Sequence, residues 1–150
     1  MSAPAKPSLA CPCGGPAYAS CCGPYIDGAA VPQTAEQLMR SRYSAYTRGM
    51  EDYLRATWYP ATLPAGPIVD RELPPQWLGL EVKSALRLRQ RKANLAEIPD
   101  RDTVEFVARY KVGGRAHRLH EVSSFVREAG ADGVLRWYYV DGHFPAKAAR

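Results

Sequence analysis

Along residues 35–48 apolar positions recur every three or four residues, the spacing of a helix that buries one side. At about 100° per residue, Ala35, Leu38, Met39, Arg42, Ala45 and Tyr46 share a face with Tyr43 at its border, while Glu36, Arg40 and Thr47 point away. Thr34 ahead of the run, with Gln37 three residues on, is a capping-box signature, and Gly49 supplies the stop. A shorter helix is expected over residues 51–57, with Pro60 preventing its extension. Residues 60–76 hold five of the thirteen prolines and read as an irregular crossing, with a helical turn near residues 70–73.

From Trp77 onward the period changes to two. Leu80, Val82, Ser84, Leu86 and Leu88 fall on one face of a strand, opposite Glu81, Lys83, Arg87 and Arg89. A second strand carries Val104, Phe106, Ala108 and Tyr110 on one side, and Gly113-Gly114 reads as a hairpin turn into a third strand over residues 115–127. Residues 130–133 connect to a fourth strand over 135–140. Helices first and a hairpin-linked meander after them predict an α+β fold with a curved antiparallel sheet.

All four cysteines lie upstream of this pattern, in Cys11-Pro-Cys13-Gly14-Gly15-Pro16-Ala17-Tyr18-Ala19-Ser20-Cys21-Cys22. Four thiolates this close can converge on one tetrahedral Zn²⁺, because Gly14, Gly15 and Pro16 let the chain double back. Bridges within either pair would be strained, whereas cross-bridges between the pairs and free redox thiols stay open as other readings. An all-sulfur set leaves no coordination position for an activated water, so the expected Zn²⁺ is structural.

Cys-Pro-Cys-Gly followed by Tyr18 and Cys21-Cys22-Gly23 resembles the SEC-C motif, the zinc knuckle that also ends the SecA translocation ATPase. The similarity continues through Gly23-Pro24-Tyr25, Leu38-Met39-Arg40-Ser41-Arg42-Tyr43, Asp52-Tyr53-Leu54, Thr57-Trp58, Trp77-Leu78-Gly79-Leu80, Val104-Glu105-Phe106-Val107-Ala108 and Trp137-Tyr138-Tyr139-Val140-Asp141-Gly142. In that order these segments resemble the bacterial YchJ family over nearly the whole chain. The resemblance implies a cystatin-like, nuclear-transport-factor-like cone behind an N-terminal SEC-C zinc knuckle. The expected layout is a disordered tail over 1–10, the knuckle over 11–27, the α+β domain over 33–144 and a tail over 145–150. Two departures stand out: the loop between the cysteine pairs is one residue shorter than the family's and lacks its basic residue, and a single knuckle is expected where many relatives carry two.

In such a cone, helix 35–48 lies across the concave side of the sheet, where a cavity often remains. The family's Glu-x-Ser-x-Phe pattern points Glu121, Ser123 and Phe125 inward, which makes Glu121 the expected partner of Arg42 in a buried ion pair. That pair either satisfies two buried charges or binds a small anionic or carbonyl ligand; alternatively, Arg42 snorkels to the rim. The candidate pocket comprises Arg42, Tyr43, Tyr46, Trp58, Glu121, Ser123, Phe125, Trp137 and Tyr139, with Asp141 at the mouth. The tryptophans also read as ordinary core. His117, His120 and His143 have no ligand spacing with one another, and no serine sits in a nucleophile signature, so no catalytic residue is assigned.

Charge changes this picture little. The 150 residues carry a net +5, and the densest basic run (Lys83, Arg87, Arg89, Arg91 and Lys92, with Arg109, Lys111, Arg115 and Arg118) reads as a solvated face or a nucleic-acid or ribosome contact. No apolar run is long enough for a membrane span and residues 1–10 lack a signal-peptide core, so a cytoplasmic location is expected. The leading expectation is a non-enzymatic protein whose zinc knuckle contacts a protein partner in translation, export or chaperoning. The alternative is a small-molecule binder or enzyme using the cone pocket.

Overall fold

The computed structural model describes residues 10–70, 72–83 and 100–145. A 3-10 turn at Tyr18–Ser20 leads into a one-turn helix α1 (Gly23–Ile26), followed by α2 (Ala35–Thr47) and α3 (Glu51–Ala56). Four strands come next: β1 (Gln76–Val82), β2 (Arg101–Val112), β3 (Arg115–Ala129) and β4 (Leu135–His143). They pair antiparallel in sequence order, the meander expected from the alternation. Residues Ser84, Leu86 and Leu88 of the expected first strand lie outside the described residues, as do Arg87, Arg89, Arg91 and Lys92 of the basic run.

Local chemistry accounts for the boundaries. Thr34 caps α2, its side chain accepting from the Gln37 backbone N–H at 3.1 Å. The return bond differs from a standard capping box: Gln37 Oε1 accepts from the N–H of Gln33, one residue before the cap, at 2.6 Å. After α2 the chain turns at Gly49, whose φ of +66° is in the left-handed region. Gly113 and Gly114 both have positive φ, as a two-residue hairpin between right-twisted strands requires. Register shifts at Trp77/Gly79 and Ser124/Phe125 are bulges, which bend the strands that carry them.

The side of α2 that faces the sheet is the apolar face read from the sequence, but the helix is buried further around. Ala35, Leu38, Met39, Arg42, Tyr43 and Ala45 are buried, and so are Ser41 and Ser44. Ser41 faces α3 through a 2.7 Å hydrogen bond with the Tyr53 hydroxyl, and Ser44 faces the cysteine segment, 3.5 Å from Cys11 Sγ. One core cluster consequently contains Cys11, Cys13 and Cys22 alongside Leu38, Met39, Val104, Phe106, Phe125 and Trp137. Burial of each large apolar side chain contributes about 1.5–3 kcal/mol. Several together offset the cost, several kcal/mol in effect, of enclosing the Arg42 guanidinium among them.

The segment after α3 attaches to the far strand. Tyr59 N donates to Tyr139 O (2.7 Å) and Tyr139 N to Thr57 O (2.9 Å), forming a short parallel bridge between Trp58 and Tyr139. The proline-rich crossing that follows is fastened to α3. The Glu51 carboxylate accepts from Ile68 N and Val69 N, each at 3.0 Å, and the Arg55 guanidinium donates to Gly66 O and Pro64 O.

Candidate functional site

The cysteine segment is shaped by close approaches that only glycine permits. Gly14 turns at φ +102°, its N–H bonding Cys11 O at 3.0 Å, while Cys11 N bonds Gly15 O at 3.2 Å. A Cβ on Gly15 would sit 2.5 Å from Cys21 Sγ, so a side chain there would displace that sulfur. The 3-10 turn and α1 then carry Cys21 and Cys22 back to the first pair. The four Sγ atoms lie within 4.8 Å of one another, with Cys13–Cys21 at 3.5 Å and Cys21–Cys22 at 4.0 Å. Zn–S bonds of about 2.3 Å in a tetrahedron need sulfurs roughly 3.8 Å apart, and this cluster fits that requirement.

Electrostatics show what the cluster lacks when only protein atoms surround it. A hydrogen bond from Cys22 foremost brings the Cys13 thiol down to about 5, against the opposing effect of burial. Burial first, then the Cys13 hydrogen bond, pushes Cys21 up to about 12, and the bond to Cys13 together with burial drives Cys22 upward as well. The group thus stabilises the Cys13 thiolate at the expense of Cys21 and Cys22, an imbalance that a cation among the sulfurs would relieve. Arg40 adds nearby positive charge, donating to Cys13 O at 2.9 Å while paired with Glu36 at 2.8 Å. Tyr18 packs against the core under the Arg48 guanidinium, 4.2 Å from its ring centroid.

Between α2 and the sheet is a partly open cavity of about 220 Å³. Its lining brings together Arg42, Tyr43, Tyr46, Glu121, Ser123, Phe125 and Tyr139 from the sequence-derived set, with Met39, Trp77, Phe106, Ala108 and Leu119 added. The additions were legible by parity: Leu119 shares a strand face with Glu121, Phe106 and Ala108 alternate inward on β2, and Met39 shares the α2 face with Arg42. A second, more exposed hollow adjoins this cavity, lined by Ile68, Val69, Pro74 and Pro75 of the crossing, and the two share Tyr46, Trp77 and Leu119.

The expected Arg42–Glu121 ion pair is not formed. Arg42, 5% exposed, donates from Nη1 to Leu54 O (2.8 Å) and Thr57 Oγ1 (2.7 Å), and its guanidinium lies 5.0 Å and 4.6 Å from the ring centroids of Trp58 and Tyr139. Among the described residues no carboxylate pairs with it. Glu121 Oε2 instead accepts from Ser123 Oγ at 2.7 Å and from the Tyr139 hydroxyl at 3.1 Å. Carbonyl and hydroxyl acceptors supplied by α3 and the turn after it satisfied Arg42 from the opposite side, which spacing on α2 could not reveal. Burial lowers the guanidinium's pKa and raises those of Tyr46 and Tyr139.

Three other residues fall elsewhere. Trp58 packs edge-on against Tyr139 at 4.8 Å behind the cavity wall, its buried Nε1 without a hydrogen-bond partner among the described residues. Trp137 is core: 2% exposed, it donates to Gln33 O at 3.2 Å and does not line the cavity. Asp141 is exposed, pairs in register with Ser124 and so belongs to the opposite sheet face. His120 lies on that face too, 2.7 Å from Glu105, while His117 stacks on Tyr110.

A helix-backed, four-stranded antiparallel sheet with a cavity beneath its long helix, joined to a four-cysteine cluster, defines a nuclear-transport-factor-like protein with a candidate metal centre. Residues 34–142 match the family model described as YchJ, middle NTF2-like domain. A UPF0225 protein of Ralstonia nicotianae is 54% identical over 147 residues, covering 95% of each chain, and one from Cupriavidus metallidurans is 54% identical over 133 residues, covering 88% of this chain and 86% of that one. The chain belongs to the YchJ family, also designated UPF0225. Two solved SEC-C motif containing proteins share the fold: one from Rhodopseudomonas palustris (30% identity, TM-score 0.61, covering 91% of this chain and 98% of that one) and one from Psychrobacter arcticus (29%, TM-score 0.66, covering 95% and 84%).

Proposed function

We propose that this protein binds a small molecule in the cone cavity, and that Cys11, Cys13, Cys21 and Cys22 hold a structural Zn²⁺ that fastens the N-terminal segment to α2. The observation that carries the first part is the cavity itself: a partly open space of about 220 Å³, mostly apolar, into which a buried guanidinium and a carboxylate both face. Convergent polar groups in an apolar hollow are what a specific ligand site needs. For the metal, support comes from four sulfurs within 4.8 Å of one another, a soft donor set that suits Zn²⁺ and leaves no position for substrate. The proposed setting is the cytoplasm, where thiols stay reduced and free to take up metal.

The knuckle as an adaptor for translation, export or chaperoning has weaker support. Cys11, Cys13 and Cys22 are at most 4% exposed and belong to the common core, so the segment serves as a wall of the fold. Its exposed residues between the cysteine pairs, Gly14, Pro16, Ala19 and Ser20, are uncharged, and the charge around the knuckle comes from Asp27, Arg40 and Arg48.

Native mass spectrometry combined with a fragment screen read by NMR tests the proposal. The expected result is one Zn²⁺ per chain and fragments that shift the signals of Glu121, Tyr139 and Phe125. A chain that takes up no zinc, or a cavity that no fragment perturbs while a captured protein protects the cysteine segment from hydrogen exchange, overturns it.

A further inference from the structure

Resting on the ligand-binding reading above, the polar groups of the cavity specify a ligand chemistry. Among the described residues, no carboxylate contacts the buried Arg42 guanidinium, an arrangement that costs stability unless an anion joins it. Its Nη1 donates to a carbonyl and a hydroxyl and the Tyr46 hydroxyl also lies within its reach, so among the described residues no carboxylate takes up the guanidinium fork. That fork matches the two oxygens of a carboxylate. Trp58 and Tyr139 hold the guanidinium plane in place.

Glu121 supplies a second recognition point, at the other end of the same Tyr139 side chain. Arg42 lies over the face of Tyr139, whereas Glu121 lies at the hydroxyl tip of the same residue. Ser123 and Tyr139 both donate to Glu121 Oε2, leaving Oε1 as an acceptor for an incoming donor. Between and around these points the walls are apolar: Met39, Trp77, Phe106, Leu119 and Phe125. The space equals about seven waters' share of liquid volume, enough for a single-ring molecule.

We propose that the cavity binds a small organic acid whose carboxylate lies on the Arg42 fork and whose apolar body ends in a hydroxyl or amine donor to Glu121. A phosphate fits less well, because one guanidinium with neighbouring hydroxyls supplies too little charge and too few donors for a buried dianion.

The test is a calorimetric and NMR titration of the zinc-loaded full chain with four probes: 4-hydroxybenzoate, benzoate, 4-hydroxybenzamide and p-cresol. 4-Hydroxybenzoate is expected to bind about ten- to a hundredfold more tightly than 4-hydroxybenzamide, the range for a charge-assisted hydrogen bond in place of a neutral one. It is also expected to exceed benzoate several-fold, and Glu121→Gln to shrink that second margin while leaving the carboxylate preference intact. Arg42→Lys is expected to narrow the preference for the acid over the amide; if that variant does not fold, the wild-type probe series decides alone. Equal or tighter binding of p-cresol and the amide overturns the organic-acid assignment and leaves the ligand-binding reading standing. Failure of all four probes to perturb the cavity overturns the assignment, and the fragment screen then judges the broader reading separately.

Discussion

At the scale of single residues, the cavity depends on a missing side chain as much as on the charged ones. Gly142 lies across from Ser123 in the β3–β4 ladder, and a Cβ there would fall within 2.6 Å of Glu121 Cδ. Glycine leaves the space in which the carboxylate rests, within reach of Ser123 and Tyr139. Gly142→Ala is therefore expected to displace Glu121 and break both hydrogen bonds, costing about 1 kcal/mol for each bond lost. Differential scanning fluorimetry would show the loss as a lower melting temperature, and an unchanged value would mean that Glu121 has another place to go. The sequence displayed both charged residues and the inward strand parity, but it did not display their partners. Arg42 finds its acceptors at Leu54 and Thr57, on an element whose position relative to α2 follows from three-dimensional packing and not from periodicity.

At the scale of elements, α2 was readable because its cap, stop signal and apolar stripe agree with one another. What the wheel did not show is that Ser41 and Ser44, small polar residues assigned to no face, are buried against two further neighbours. A small hydroxyl can be buried cheaply when it finds a partner, so hydropathy alone under-reports such contacts. The proline-rich crossing was legible as irregular, yet the Glu51 clasp that positions it was not, since it joins a helix start to amides seventeen and eighteen residues away. The Ile68 and Val69 N–H groups, foremost among the causes, hold the Glu51 carboxyl below its ordinary range. A depressed folded-state value means that the clasp contributes fully above the unfolded-state value of about 4.3 and is lost as pH falls through the lower folded one. Hydrogen exchange at Ile68 and Val69, corrected for intrinsic rates, is expected to lose protection on acidification over that interval. Glu51→Gln should abolish this pH dependence, and a variant that retains it would refute the clasp.

For the whole molecule, the cysteine segment and the cone share one hydrophobic cluster, so loss of the proposed metal should be felt throughout. Removing the proposed Zn²⁺ with a chelator, or replacing Cys13 by Ser, is expected to lower the single melting transition by on the order of 10 °C, a part of the free energy that structural zinc supplies to small folds. Two separate transitions, with the cone's unmoved, would show that the segments are thermally independent. The α+β class, the strand order and the cysteine cluster were all readable from local signals, because each element's periodicity agrees with its turns. The shared core was not readable, because nothing in the spacing of four cysteines says which helix flank they cover. The bridge between Trp58 and Tyr139 has a consequence at the same scale. A strand at the border of a sheet offers unpaired amides and carbonyls to any chain that meets it, and the backbone of Thr57 and Tyr59 already occupies those of Tyr139 midway along β4. A second copy attempting to extend the sheet from that side would first have to displace this covering segment, so the fold carries its own guard against stacking edge to edge.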